Sequence, residues 1–184
     1  GRMRRYARVL RTANYLKRRL PSRAVATITG AAIDPLLRLA GRETRHRLAL
    51  EIRSVSPVRF DERYDHLFDD AADRSRVMGD SYAQYLNWRY ADNHLYEKHA
   101  LEARNGRRLH GYLLFVVQDG VASIKDIFPP GDDLTTRDLI VGMLREGRRR
   151  RLESVSVTTL ENNPMDRLFR EFGFRLRPDG SEMF

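Results

Sequence analysis

Two dipeptides constrain this chain more than anything else in it: Asn105-Gly106 and Asp119-Gly120. Each supplies the residues that tolerate positive φ, which a two-residue hairpin turn requires. Around them, in "EKHALEARNGRRLHGYLLFVVQDGVASIKDIFPP", the hydrophobic period is two. The pattern predicts an antiparallel meander of three strands at about 98–104, 108–118 and 121–128. A sheet of this kind has apolar faces, and the remaining elements must cover them.

The flanking segments have the right character. "LALEIRSVSPVRF" reads as a first strand ending near Pro57. "DERYDHLFDDAADRSRV" reads as a helix with Tyr64, Leu67, Phe68 and Ala71 on one face. "SYAQYLNWRYADN" reads as another, presenting Tyr82, Tyr85, Leu86 and Arg89. After the meander, "DDLTTRDLIVGMLREGRRRR" is helical, with Leu139, Ile140, Met143 and Leu144 inward. "LESVSVTTL" is β-branched and gives a strand at 153–160. In "LENNPMDRLFREFGF", Asn163 reads as a helix cap, Pro164 as the first helical residue and Gly173 as the stop. "FRLRPDGSEMF" gives a strand, a Pro-Asp-Gly turn and the start of another strand, which ends earlier than a paired last strand should. The order predicts an α/β, or α+β layer, fold: a mixed, mainly antiparallel sheet flanked by helices.

The net charge of +9 is uneven. Residues 1–48 carry thirteen Arg or Lys against Asp34 and Glu43, while 49–184 carry 21 basic and 23 acidic residues. "RMRRYARVLRTANYLKRRL" has apolar residues Met3, Tyr6, Leu10, Ala13, Leu16 and Leu20 at spacings of three and four, which predicts an amphipathic helix. "RAVATITGAAIDPLLRLAG" follows as a second helical segment, interrupted by Pro35 and closed by Gly41. The chain therefore divides into a basic helical segment, 1–48, and a near-neutral domain, 49–184. Three roles compete for the basic helices. Docking another domain of a longer protein comes first, an anionic membrane surface second, and nucleic acid last, since no recognition motif accompanies the charge. The opening at Gly1 fits a piece of a longer protein.

No cysteine is present, which excludes disulfides and thiolate chemistry. The histidines, His46, His66, His94, His99 and His110, show no metal-ligand spacing, so no metal site is expected. No run of 18 apolar residues and no signal-peptide pattern occurs, and the default reading is cytoplasmic. The oligomeric state is left open.

Over 49–184 the element order, together with "NPMDRLFREFGF", resembles the GNAT superfamily of acetyl-CoA-dependent N-acetyltransferases. The matching residues are Asn163, Leu168, Phe169, Gly173 and Phe174. "SYAQYLNWRY" resembles a GNAT-like subgroup linked to polysaccharide-biosynthesis loci. The resemblance implies that strands 121–128 and 153–160 splay apart around the pantetheine arm of acetyl-CoA. Ile127 and Phe128 would then lie on the first of them and Asn163 beside the arm. It implies a pyrophosphate loop at "FPPGDDLTTRDL", with Gly131, Thr135, Thr136 and Arg137 around the phosphates. Here the pattern departs from the family: one glycine remains, and Asp132 and Asp133 oppose an anion. Thr135 is placed to cap the helix, with Asp138 three residues on. Phe169 stands where many members carry a tyrosine acid.

On strand 121–128, Asp126 shares a face with Ile124 and Phe128 and is the candidate general base. The alternative is an exposed Asp paired with a nearby cation. His110 and Tyr112 are weaker candidates. Tyr85, Trp88, Arg89 and Tyr90 are candidates to bind the acceptor, a small-molecule or sugar-linked amine; core packing of the aromatics is the competing reading. Arg148 to Arg151 read as cations complementing a helix dipole, with an anion site as the minor reading. Asn163 also reads as a plain cap, which is compatible with a cofactor contact because capping uses one oxygen. The function that follows is acyl-CoA-dependent N-acyl transfer. The alternative is a catalytically degenerate GNAT-like module that binds or scaffolds. A third reading puts function in the basic helix alone.

Overall fold

Hairpin turns at Gly106-Arg107, one residue later than the Asn105-Gly106 dipeptide suggested, and at Asp119-Gly120 organise the computed structural model, which describes residues 2–11, 41–56, 58–72, 82–92, 97–130 and 132–177. Positive φ at Gly106 (60°), Asp119 (50°) and Gly120 (76°) lets both turns close in two residues. The strands are β1 (Met3–Val9), β2 (Glu51–Val55), β3 (Lys98–Asn105), β4 (Arg108–Gln118), β5 (Val121–Phe128), β6 (Ser154–Leu160) and β7 (Arg175–Arg177). The helices are α1 (Arg42–Arg45), α2 (Glu62–Ala72), α3 (Ala83–Leu86), α4 (Asp133–Arg149) and α5 (Asp166–Glu171); a π-helical turn, Asn87–Ala91, extends α3. The hydrogen-bonded strand order is β2-β3-β4-β5-β6-β1-β7. The pairs β2–β3, β3–β4, β1–β6 and β1–β7 are antiparallel.

The chain forms two compact units. One contains residues 48–117 and 124–142. In it α2 buries Tyr64, Leu67, Phe68 and Ala71, the face that its periodicity predicts. They meet Val58, Phe60, Ala83, Leu86, Tyr112, Leu114 and Phe128 in one cluster. Asn87 fixes the π turn by exchanging hydrogen bonds with Phe60, accepting from its N–H (3.1 Å) and donating to its carbonyl (2.8 Å). The bond from Asp92 N to Asn87 O, 2.8 Å, skips five residues and makes the turn π rather than α. Asp138, fully buried on α4, accepts the N–H groups of Ala49 and Leu50, both at 2.8 Å.

The other unit contains residues 1–47, 118–123 and 143–184. Its first element corrects the sequence reading: Met3–Val9 is a strand, not the start of an amphipathic helix. Tyr6 pairs with Val157 on one side and Leu176 on the other, so β1 lies between β6 and β7. A spacing of four, Tyr6 to Leu10, fits one face of a strand as well as of a helix, and both residues are fully buried. Two open strand edges outweigh a local helical pattern, because pairing satisfies backbone groups on both sides. β7 pairs with β1 over Arg175, Leu176 and Arg177. The helical expectation for 12–40 lies outside the described residues.

Helix α5 starts at Asp166, two residues later than expected. Asn163 Oδ1 instead accepts the Met165 N–H (2.9 Å) and its carbonyl accepts that of Asp166 (2.9 Å), a turn that leads into the helix. The exit follows the Schellman pattern. Phe174 N bonds Phe169 O (2.9 Å) and Gly173 N bonds Arg170 O (3.0 Å), with Gly173 at φ 79°. The Phe169 and Phe174 rings meet at 5.5 Å across it.

A buried ion-pair cluster closes this unit. Glu43 on α1 is fully buried and accepts Arg8 Nη2 at 2.7 Å and Arg148 Nη2 at 2.9 Å. Gly41 has no room for a side chain, since a Cβ there would stand 2.4 Å from Glu43 Oε1. Arg148, expected to complement the α4 dipole, is thus also an ion-pair partner.

Candidate functional site

Asp126 is the centre of the polar group that unit 48–117/124–142 assembles. It sits near the end of β5, half-buried, and accepts the Tyr112 hydroxyl at 3.0 Å. Burial raises its pKa above the ordinary carboxylate value; the bonds from Tyr112 and the Ile127 N–H, and the Arg89 charge, oppose the shift. Tyr112 is itself packed in place, stacked on Phe128 at 5.5 Å and tilted against Tyr64 at 5.4 Å.

Four residues expected to hold the acceptor come from α3 and the π turn. Arg89 Nη1 donates to Tyr85 Oη at 2.7 Å, and its guanidinium lies 5.8 Å from the Tyr85 ring and 5.2 Å from the Tyr90 ring. Trp88 is 5.8 Å from Tyr85 and 69% exposed. Burial first, and the Asp126 charge second, raise the Tyr90 pKa, while Arg89 lowers it. Asp126, Arg89, Tyr90, Tyr85 and Trp88 therefore belong to one neighbourhood. Tyr85 and Tyr90 are half-buried against the core cluster, and Trp88 faces solvent.

Another buried carboxylate of this unit, besides Asp138, was not anticipated. Glu102 on β3 is fully buried, accepting Tyr64 Oη (2.6 Å) and Arg104 Nε (2.6 Å). Burial, and then the Glu102 charge, push the Tyr64 hydroxyl far above its ordinary value, so it remains a donor.

The start of α4 differs from a phosphate cradle. Asp132, not Thr135, caps it: Oδ1 accepts Thr135 N (3.0 Å), Oδ2 accepts Thr135 Oγ1 (2.9 Å), and the Asp132 carbonyl accepts Thr136 N (2.9 Å). Thr135 and Thr136 are each 1% exposed, and Arg137 is half-buried with interactions of its own. Asp138 serves residues 49 and 50 rather than a capping box. Gly111 lets β4 approach closely, since a Cβ there would lie 2.5 Å from both the Phe128 carbonyl and Thr135 Cγ2. Gly131 lies outside the described residues. Two donors at this helix start, the Thr135 N–H and hydroxyl, are therefore committed to Asp132. Ile127 and Phe128 are buried on β5.

Asn163 and Phe169 belong to the other unit. Asn163 Oδ1 is used in the turn before α5. Phe169 is fully buried, 6.2 Å from the Tyr6 ring, and packs in the core. Asp166, which sequence reasoning passed over, accepts Tyr6 Oη (2.9 Å) and Thr159 Oγ1 (3.1 Å), and so ties α5 to β1 and β6.

No family model and no curated protein matches this chain. Solved structures do. A conserved protein from Staphylococcus epidermidis ATCC 12228, described as functionally unknown, is similar over 95% of this chain and 57% of its own, at 15% identity and a TM-score of 0.54. A conserved protein from Enterococcus faecalis V583, described as a probable N-acyltransferase, is similar over 95% of this chain and 37% of its own, at 10% identity and a TM-score of 0.50. A GCN5-related N-acetyltransferase from Kribbella flavida aligns over 91% of this chain and 33% of its own, at 16% identity and a TM-score of 0.47. This chain thus spans between a third and just over half the length of these proteins. Among the described residues no helix is long and apolar enough to cross a membrane. A meander, flanking helices and a mostly antiparallel seven-stranded sheet make up the fold that this chain shares with the Staphylococcus epidermidis and Enterococcus faecalis proteins.

Proposed function

We propose that this chain is an N-acyltransferase domain in which Asp126 is the general base and an acyl-CoA thioester is the donor substrate. The carrying observation is Asp126 itself: a carboxylate with its pKa raised by burial, oriented by Tyr112 and neighboured by Arg89 and Tyr90. In the proposed step the acceptor amine gives its proton to Asp126 and its nitrogen attacks the acyl carbonyl. Collapse forms the amide and releases the thiolate. Phe169 has no proton to give, so the thiolate leaves unassisted by that residue; a thioester has a good leaving group, and proximity supplies much of the rate. Tyr85, Trp88, Arg89 and Tyr90 frame the acceptor amine, with Arg89 suited to an acidic or sugar-linked group beside it.

A thermal titration with acetyl-CoA and free CoA tests donor binding. A site saturated at 100-fold over its Kd adds about 2.7 kcal/mol, a Tm rise of roughly 5–10 °C for a chain of this size. A shift, together with acyl transfer that Asp126→Asn abolishes, is the expected result. The capping of α4 by Asp132 favours a second reading, a GNAT-like module that binds or scaffolds without transfer. No shift at millimolar acetyl-CoA, and no transfer to any amine, selects it.

A further inference from the structure

Arg145, Arg148 and Arg149 of α4, with Glu43 and Thr44 of α1, line a cavity of about 500 Å³ within the unit built from residues 1–47, 118–123 and 143–184. A volume of this order suits a small-molecule ligand. Glu43 does not make the cavity acidic, because Arg8 holds its Oε2 and Arg148 its Oε1. Glu146 is likewise shared, by Arg149 and Arg150, each at 2.6 Å. Five guanidinium groups therefore face two carboxylates. Arg145 makes no ion pair among the described residues. Its Nε and Nη2 donate to the Glu43 carbonyl (3.1 and 2.9 Å), and Nη2 also to the His46 carbonyl (2.7 Å). Those bonds fix the guanidinium plane but leave its charge uncompensated. The α4 dipole accounts for cations in the last turn, Arg148 and Arg149; Arg145 lies a turn earlier and bonds carbonyls outside α4.

We propose that this cavity is an anion site for the phosphate group of a small phosphorylated molecule. An oriented guanidinium matches phosphate oxygens in geometry and charge; Arg149, whose Nε and Nη2 are held by Glu146, adds only the N–H groups of its Nη1. This site is independent of Asp126 and of the acyl-transfer reading.

The test is a calorimetric titration of the full chain with pyrophosphate at fixed ionic strength. Saturable binding is expected, weakened at least about tenfold by Arg145→Gln and by Arg149→Gln, the loss of one charge-assisted hydrogen bond. Asp126→Asn and Arg175→Gln, an exposed cation on β7, leave it unchanged. Arg149 is a surface side chain, so its variant keeps the test valid if Arg145→Gln lowers Tm by freeing α1. No heat up to roughly 10 mM pyrophosphate, a Kd outside any useful affinity, overturns the proposal. So does binding that both cavity variants retain, or that Arg175→Gln weakens equally, which is diffuse attraction. Adsorption to phosphatidylglycerol vesicles without pyrophosphate binding also overturns it, in favour of a lipid surface.

Discussion

Asp126 shows how one side chain can trade stability for chemistry. Its folded pKa lies above the unfolded value, so the folded state keeps a proton that the unfolded chain has released. Stability therefore falls as pH rises through that window. Asp126→Asn should melt at higher denaturant than the parent at neutral pH, and no higher below the carboxylate range. The same variant should lose about 10²–10⁴-fold in acyl transfer, the usual worth of a general base. Glu43 is instead a structural group, buried between two guanidinium groups. Glu43→Gln leaves Arg8 and Arg148 buried beside a neutral amide. A loss of about 3–5 kcal/mol in urea melts is expected. These two carboxylates differ in legibility. Asp126 could be picked out because its strand and face were readable; Glu43 was counted only as a charge, because its partners stand 35 and 105 residues away.

At the scale of elements, α5 is held from both ends by local chemistry that its sequence displays. The Asn163 turn and the Gly173 exit both lie in one short stretch. What the stretch does not display is the surface that Phe169 meets. That ring packs on Tyr6 and Phe174, and no part of it is exposed. Phe169→Tyr should therefore not restore an acid. It should cost about 1–3 kcal/mol, as an overpacked core does, with transfer rates unimproved in a steady-state assay. The start of α4 makes a similar point. Asp132, Thr135 and Asp138 were all visible, yet which of them caps depends on where residues 49 and 50 lie. Asp138 serves those two backbone N–H groups, and Asp132 takes the cap.

At the scale of the molecule, β1 is the element with the widest consequence. It pairs with β6 over seven residues and with β7 over three. Deleting residues 1–11 should open both partners. Hydrogen exchange at the amides of 154–160 should then speed up by orders of magnitude, since local opening loses its cost. This deletion also bears on any test of the basic terminus, because removing the first 45 residues removes a strand along with the charge. The charge itself is regrouped by the fold. The described residues of the unit that includes β1 hold seventeen arginines against seven acids, drawn from the N-terminal segment and from the end of α4 onward.

The sequence by itself determined the meander, the buried faces of α2 and α4, and the helical exit at Gly173. Each depends on residues a few positions apart: a turn dipeptide, a period of two, a period near four, one glycine at positive φ. It also placed Asp126 on its strand beside apolar neighbours. Tertiary structure decided the rest. Tyr6 and Leu10 are four apart, a spacing that a strand and a helix share, and only the open edges of β6 and β7 resolve it. The Tyr112–Asp126 bond, the Asp132 cap and the Arg8–Glu43–Arg148 cluster depend on groups brought together across the chain. Their energies come from burial, which a linear pattern of charges does not record.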